Sequence, residues 1–92
     1  MLKSVDFLNL ANITLEVERK TVFYLTVDAG DRYDQYEYES KEDAISHLEN
    51  LREFYKDEFE MLSAEEKSLE PVDEKEDNEN IDELVSIVKN SK

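Results

Sequence analysis

From Ala11 to Glu18 apolar and polar residues alternate strictly: Ala11, Ile13, Leu15 and Val17 against Asn12, Thr14, Glu16 and Glu18. A period of two with β-branched content predicts a half-buried strand. Arg19–Lys20–Thr21 is short and polar, which suits a tight reversal. Val22 to Val27 is apolar on both faces and reads as a central strand covered on both sides. Asp28 to Arg32 is the clearest turn signal, since Gly30 is the only glycine of the chain and can take a positive φ. Tyr33 to Glu39 alternates again, with Tyr36 and Tyr38 on one face and Gln35, Glu37 and Glu39 on the other.

Residues paired across a hairpin share a face, so the loop length sets the surface chemistry. A three-residue loop at 29–31 places Asp28 opposite Arg32, Tyr24 opposite Tyr36 and Val22 opposite Tyr38. A two-residue loop pairs Phe23 with Tyr36 instead. The first register is preferred because it makes an ion pair at the turn and gathers Tyr24, Tyr36 and Tyr38 on the face opposite the aliphatic side.

Ser40 reads as a helix N-cap, with Asp43 three positions on, close to a capping box. Ala44, Leu48, Leu51, Tyr55, Phe59 and Leu62 follow at spacings of 4, 3, 4, 4 and 3, one helical stripe with Ile45 widening it and Phe54 at its edge. Ser63 to Glu79 has almost no periodicity, and Pro71 forbids a continuous helix through it. It reads as a loose acidic linker. Asn80 resembles a second N-cap, and Ile81, Leu84, Val85 and Val88 form a short stripe. A helix of that length needs a body to dock on. Val5, Phe7, Leu8 and Leu10 suit either a short helix after Ser4 or an early strand. The expectation is one α+β domain, β-β-β-α-α: a three-stranded antiparallel meander, one long helix and a short C-terminal helix. Its parts are a folded body over 1–62, an acidic linker over 63–80 and a docking helix over 81–92.

Charge changes this picture most. The chain of 92 residues carries a formal net charge of −14. Residues 57–83 contain 13 acids against Lys67 and Lys75 alone, whereas residues 1–40 hold 8 acids and 4 bases. Such crowding destabilises a compact state. Runs of like charge are ordinarily solvated faces or tails; the functional alternative is a surface that meets a basic partner. The same charge argues against direct binding to nucleic acid and against an anionic membrane. The chain has no cysteine, which removes disulfides and thiolate metal sites and fits a cytoplasmic setting. No apolar run approaches the roughly 20 residues of a membrane span.

Catalytic chemistry finds little to stand on. His47 is the only histidine, beside the core position Leu48, and reads as a boundary residue of the helix. One glycine cannot build a phosphate-cradling loop. A calcium loop starting at Asp73 requires glycine sixth and glutamate twelfth, where the chain has Asn78 and Leu84. The reading is therefore no enzyme, no cofactor and no metal site.

The candidate partner-binding residues are two sets. Tyr24, Tyr36 and Tyr38 offer large contact areas with polar tips, the residue type enriched at interface hot spots. Glu49, Glu53, Asp57, Glu60, Glu65 and Glu66, with Asp73 and Glu74 beyond, make a track of carboxylates able to stand in for backbone phosphates. In size, acidity and α+β layout the chain resembles the small acidic inhibitors of phages and mobile elements, the anti-CRISPR and anti-restriction proteins of the DNA-mimic kind. That resemblance rests on no motif and transfers no site residue. It implies an inhibitor in the host cytoplasm that occupies the nucleic-acid groove of a defence enzyme. The alternative is an adaptor or homodimer that uses the tyrosine face.

Overall fold

The computed structural model describes residues 1–8, 10–19, 21–65 and 74–91. Four strands and two helices follow one another as β1 (Leu2–Phe7), β2 (Ala11–Glu18), β3 (Val22–Asp28), β4 (Tyr33–Tyr38), α1 (Lys41–Glu65) and α2 (Glu74–Asn90). The strands form one antiparallel sheet in the order β1-β2-β3-β4. The α+β class is as expected, but the meander has four strands, because the first residues are a strand. Only Val5 and Phe7 of β1 are inward apolar positions, too few for the sequence to separate a strand from a helical turn.

Both helices lie on one face of the sheet. Ile13, Leu15, Phe23, Leu25, Val5 and Phe7 meet Ala44 and Leu48 of α1 and Ile81, Leu84, Val85 and Val88 of α2 in one buried cluster. Burying a large aliphatic or aromatic side chain contributes about 1.5–3 kcal/mol, so this single layer is the main stabilising element. Among the described residues no element covers the other face of the sheet. The expectation that β3 is covered on both sides is therefore met by no described element: Tyr24 and Thr26 are half-buried, and both helices lie on the opposite face.

The β3–β4 register also differs from both loops considered. Ala29 donates to the Arg32 carbonyl at 2.9 Å, leaving Gly30 and Asp31 as a two-residue loop one position later than the shorter alternative. Gly30 has φ +88°, as both primed hairpin turns require at their first central position. Its N–H also donates to Asp28 Oδ1 at 3.0 Å. Asp28 therefore faces Tyr33, Leu25 faces Tyr36 and Phe23 faces Tyr38. Shifting one strand by one residue turns every side chain over. Tyr36 and Tyr38 lie on the helix side and Tyr24 on the open side, so the proposed common face of these three tyrosines does not exist.

Ser40 caps α1 as expected: its Oγ accepts from Asp43 N–H at 3.4 Å and its carbonyl accepts from Ala44 N–H at 3.1 Å. Ala44 and Leu48 are fully buried, while Leu51, Tyr55 and Phe59 are partly buried. The acidic linker placed over 63–80 is corrected at both ends. Residues 63–65 belong to α1 and residues 74–80 to α2; the remainder of that stretch lies outside the described residues. Asn80 is not an N-cap but a mid-helix residue, its Nδ2 donating to the Asp6 carbonyl at 3.2 Å. The C-terminal helix packs on the body with Ile81, Leu84 and Val88 wholly buried. Lys41, at the start of α1, reaches the Lys89 carbonyl in the last turn of α2 at 3.3 Å. A cation there complements the C-terminal end of the helix dipole.

Candidate binding surface

The open face of the sheet is built by the even positions of β1, β2 and β3 and the odd positions of β4, a set fixed by the three registers. It carries Asp6, Glu16, Glu18, Asp28 and Glu37, all exposed, and no lysine or arginine. Between the acids runs a polar lattice. Asn12 Nδ2 donates to Asp6 Oδ1 at 2.9 Å, Ser4 Oγ to Asn12 Oδ1 at 2.8 Å, and Thr14 Oγ1 to Ser4 Oγ at 3.1 Å. Cross-strand hydrogen bonds of this kind order a face without an apolar layer above it. Tyr24 stands among the acids. Loss of water around its hydroxyl, followed by the Glu18 and Glu37 carboxylates, raises its pKa above the usual 10.

The helix back forms a second acidic surface. Glu53, Asp57 and Glu60 are exposed on the side of α1 turned away from its buried stripe. A four-residue step advances about 6 Å along a helix, so they form a row. Glu49 begins the same row but is engaged by Arg52 Nη2 at 3.1 Å, and Arg52 also bonds Asp82 of α2. That arginine is a staple between the helices. This row lies on the far side of the domain from the open sheet face, so the two surfaces cannot enter one narrow groove together. Glu65 is the last residue of α1 and Glu74 the first of α2; Glu66 and Asp73 lie outside the described residues.

The tyrosines of β4 have another role. Tyr38 Oη lies 2.7 Å from His47 Nδ1, and the Tyr36 ring stands edge-on to the imidazole at 4.3 Å. Burial lowers the imidazole pKa below its usual 6.5, while burial, then Tyr36 and Asp43, raises that of the Tyr38 phenol. Both shifts keep the groups neutral at pH 7. In the neutral pair either the phenol donates to Nδ1 or Nδ1–H donates to the phenol oxygen, according to the imidazole tautomer. The cluster fastens β4 to α1.

Among the described residues no three histidine or carboxylate side chains converge on a point that could hold a metal ion. No described helix is long and apolar enough to cross a membrane. A wide cleft of about 820 Å³ runs between the end of β2 and α2, with Val17, Ile87 and Met1 as its apolar floor and Arg19 at its rim. No protein family, curated protein or solved structure matches the chain, so the functional reading rests on the arrangement of its residues.

Sequence reasoning found the carboxylates of α1 but missed those of the sheet. Asp6, Glu16, Glu18, Asp28 and Glu37 are scattered along the chain, each an ordinary outward position of its own strand. Only the register brings them together.

Proposed function

We propose that this protein is a non-catalytic inhibitor that presents its open sheet face to the basic groove of a nucleic-acid-binding protein, in the manner of a DNA mimic. The observation that supports this best is the one-signed sheet face: five exposed carboxylates, no base and an ordered polar lattice. Polar surface held in fixed geometry meets a partner with little ordering cost, and charge of one sign steers a basic partner onto it. The row Glu53, Asp57 and Glu60 on α1 extends the negative field without entering the same contact.

The test is a pull-down from bacterial lysate at low and high salt, with duplex DNA as competitor and mass-spectrometric identification. The expected product is a nucleic-acid-binding protein, released both by salt and by DNA. The combined variant Glu16→Gln, Glu18→Gln, Asp28→Asn and Glu37→Gln is expected to weaken its capture at least about tenfold, a loss of about 1.4 kcal/mol. Capture that survives salt, DNA and this variant alike would defeat the proposal.

A further inference from the structure

β4 is an outermost strand, hydrogen-bonded to β3 alone. The bond from Ala29 N–H to the Arg32 carbonyl fixes the antiparallel alternation. Asp34, Tyr36 and Tyr38 therefore turn their main-chain groups to β3, and Tyr33, Gln35 and Glu37 turn theirs outward. No described residue takes those outward donors and acceptors. The opposite edge is handled differently. Val17 N–H bonds the Met1 carbonyl, so the outward groups of β1 belong to Leu2, Ser4 and Asp6, and the Asp6 carbonyl is occupied by Asn80 of α2. At β4 no described residue provides such cover, and the strand has no proline and no bulge, since its register with β3 is continuous.

We propose that the β4 edge is a strand-addition site for an extended, lysine- or arginine-bearing segment of the partner protein. Charge decides the occupant. Asp34 and Glu37 flank the edge on its two faces, with Asp31 and Glu39 at its ends; Arg32 pairs with Asp34 at 3.5 Å, which leaves the edge with an excess of three negative charges. A strand laid alongside brings its side chains within about 4.5–5.5 Å of these, a position that favours cations. A second copy is the poorer occupant, because two β4 edges would bring eight carboxylates together against two Arg32 side chains, each already engaged by its own Asp34. An aromatic shelf lines the helix side of the edge. Tyr36 is 37% exposed and Phe54 51% exposed, and the Phe54 ring packs edge-on against Tyr55 at 5.0 Å. Aliphatic stems of lysine or the plane of arginine fit such a shelf. The inference rests on the proposed basic partner and adds its mode of contact, main-chain hydrogen bonds beside an acidic face.

The experiment uses the full chain and a labelled ten-residue peptide of alternating lysine and valine. Its counterpart has the same charge but is N-methylated on the amides that would face β4. The expected result is binding by the first peptide, with amide shift changes centred on residues 33–39. The methylated peptide is expected to bind at least about tenfold more weakly, since two or three hydrogen bonds are lost at about 0.5–1.5 kcal/mol each. Gln35→Pro is the matching variant of the protein: its outward N–H is absent from the ladder with β3, so the edge tolerates proline, and the expected loss of binding is similar. Equal binding of both peptides, or shifts confined to Glu53–Glu60, would overturn strand addition and leave the basic partner standing. Binding of neither peptide, or self-association through residues 33–38, would overturn it as well. The lysate experiment judges the basic partner separately.

Discussion

Single residues show how local geometry is constrained from elsewhere in the chain. Leu8 has φ +52° and is 3% exposed. The left-handed region costs a leucine about 1–2 kcal/mol, and the conformation is held because Asp77 of α2 accepts its N–H at 3.1 Å. Replacing it with glycine removes that cost but also a buried side chain worth about 2–5 kcal/mol. The second effect is larger, so Leu8→Gly is expected to lower unfolding stability by roughly 1–3 kcal/mol in urea titration; a stabilised variant would contradict the burial argument. His47 supplies a pH response. Its imidazole titrates below 6.5 in the folded chain and at its usual value when unfolded. Below about pH 6.5 the unfolded chain therefore binds the extra proton, and stability falls as acid is added through that window. His47→Gln is expected to flatten the fall between pH 7.5 and pH 5.5 in thermal melts; an unchanged slope would exclude the histidine as its source.

Elements were legible where apolar spacing repeats. β2 alternates over eight residues and α1 carries its stripe over most of 25, so both were readable from pattern alone. The first half of α2 was not. Glu74 to Asn80 contains no apolar residue, hence no periodicity, yet it is helical because the second half is anchored by Ile81, Leu84 and Val88. Its contacts are polar: Asp77 reaches Leu8 and Asn80 reaches Asp6, pairings across 69 and 74 residues that no local pattern encodes. The hairpin fails differently. Both sides of the loop were visible, but the faces of Tyr24, Tyr36 and Tyr38 hang on a one-residue choice of turn position, which Ala29 and Arg32 decide by pairing. The candidate surface inherits that choice. If α2 docks as an element, Leu84→Ala removes its centre and is expected to cost about 2–5 kcal/mol. It should also speed amide exchange in β1 more than in β4, since α2 lies against β1 and Asn80 holds its edge. Equal acceleration in both strands would indicate global unfolding without a distinct α2–β1 unit.

On the scale of the whole molecule, charge acts in opposite directions on folding and on binding. The body measures 45 × 25 × 18 Å, and the Debye length is about 30 Å at 0.01 M salt. At that ionic strength nearly every carboxylate feels most of the others, and a net charge of −14 opposes compaction. The ion pairs do little against it, because Lys3–Glu83 and Arg32–Asp34 are exposed and such pairs contribute about 0–1 kcal/mol. Raising sodium chloride to about 0.5 M shortens the screening length well below the width of the domain. The melting temperature is therefore expected to rise. Relief of about 1 kcal/mol corresponds to roughly 4–8 °C for a domain of this size. Affinity for a basic partner should fall over the same range, because the field that strains the fold is the field that attracts it. Melts and binding isotherms on one salt series separate the two terms. A melting temperature that is flat or falls with salt would mean that the open sheet face and the back of α1 tolerate their carboxylates without strain. The quadruple variant Glu16→Gln, Glu18→Gln, Asp28→Asn and Glu37→Gln would then gain no stability. If repulsion is the term at work, that variant melts higher than the parent at 0.01 M salt and converges with it at 0.5 M, while binding the partner more weakly throughout.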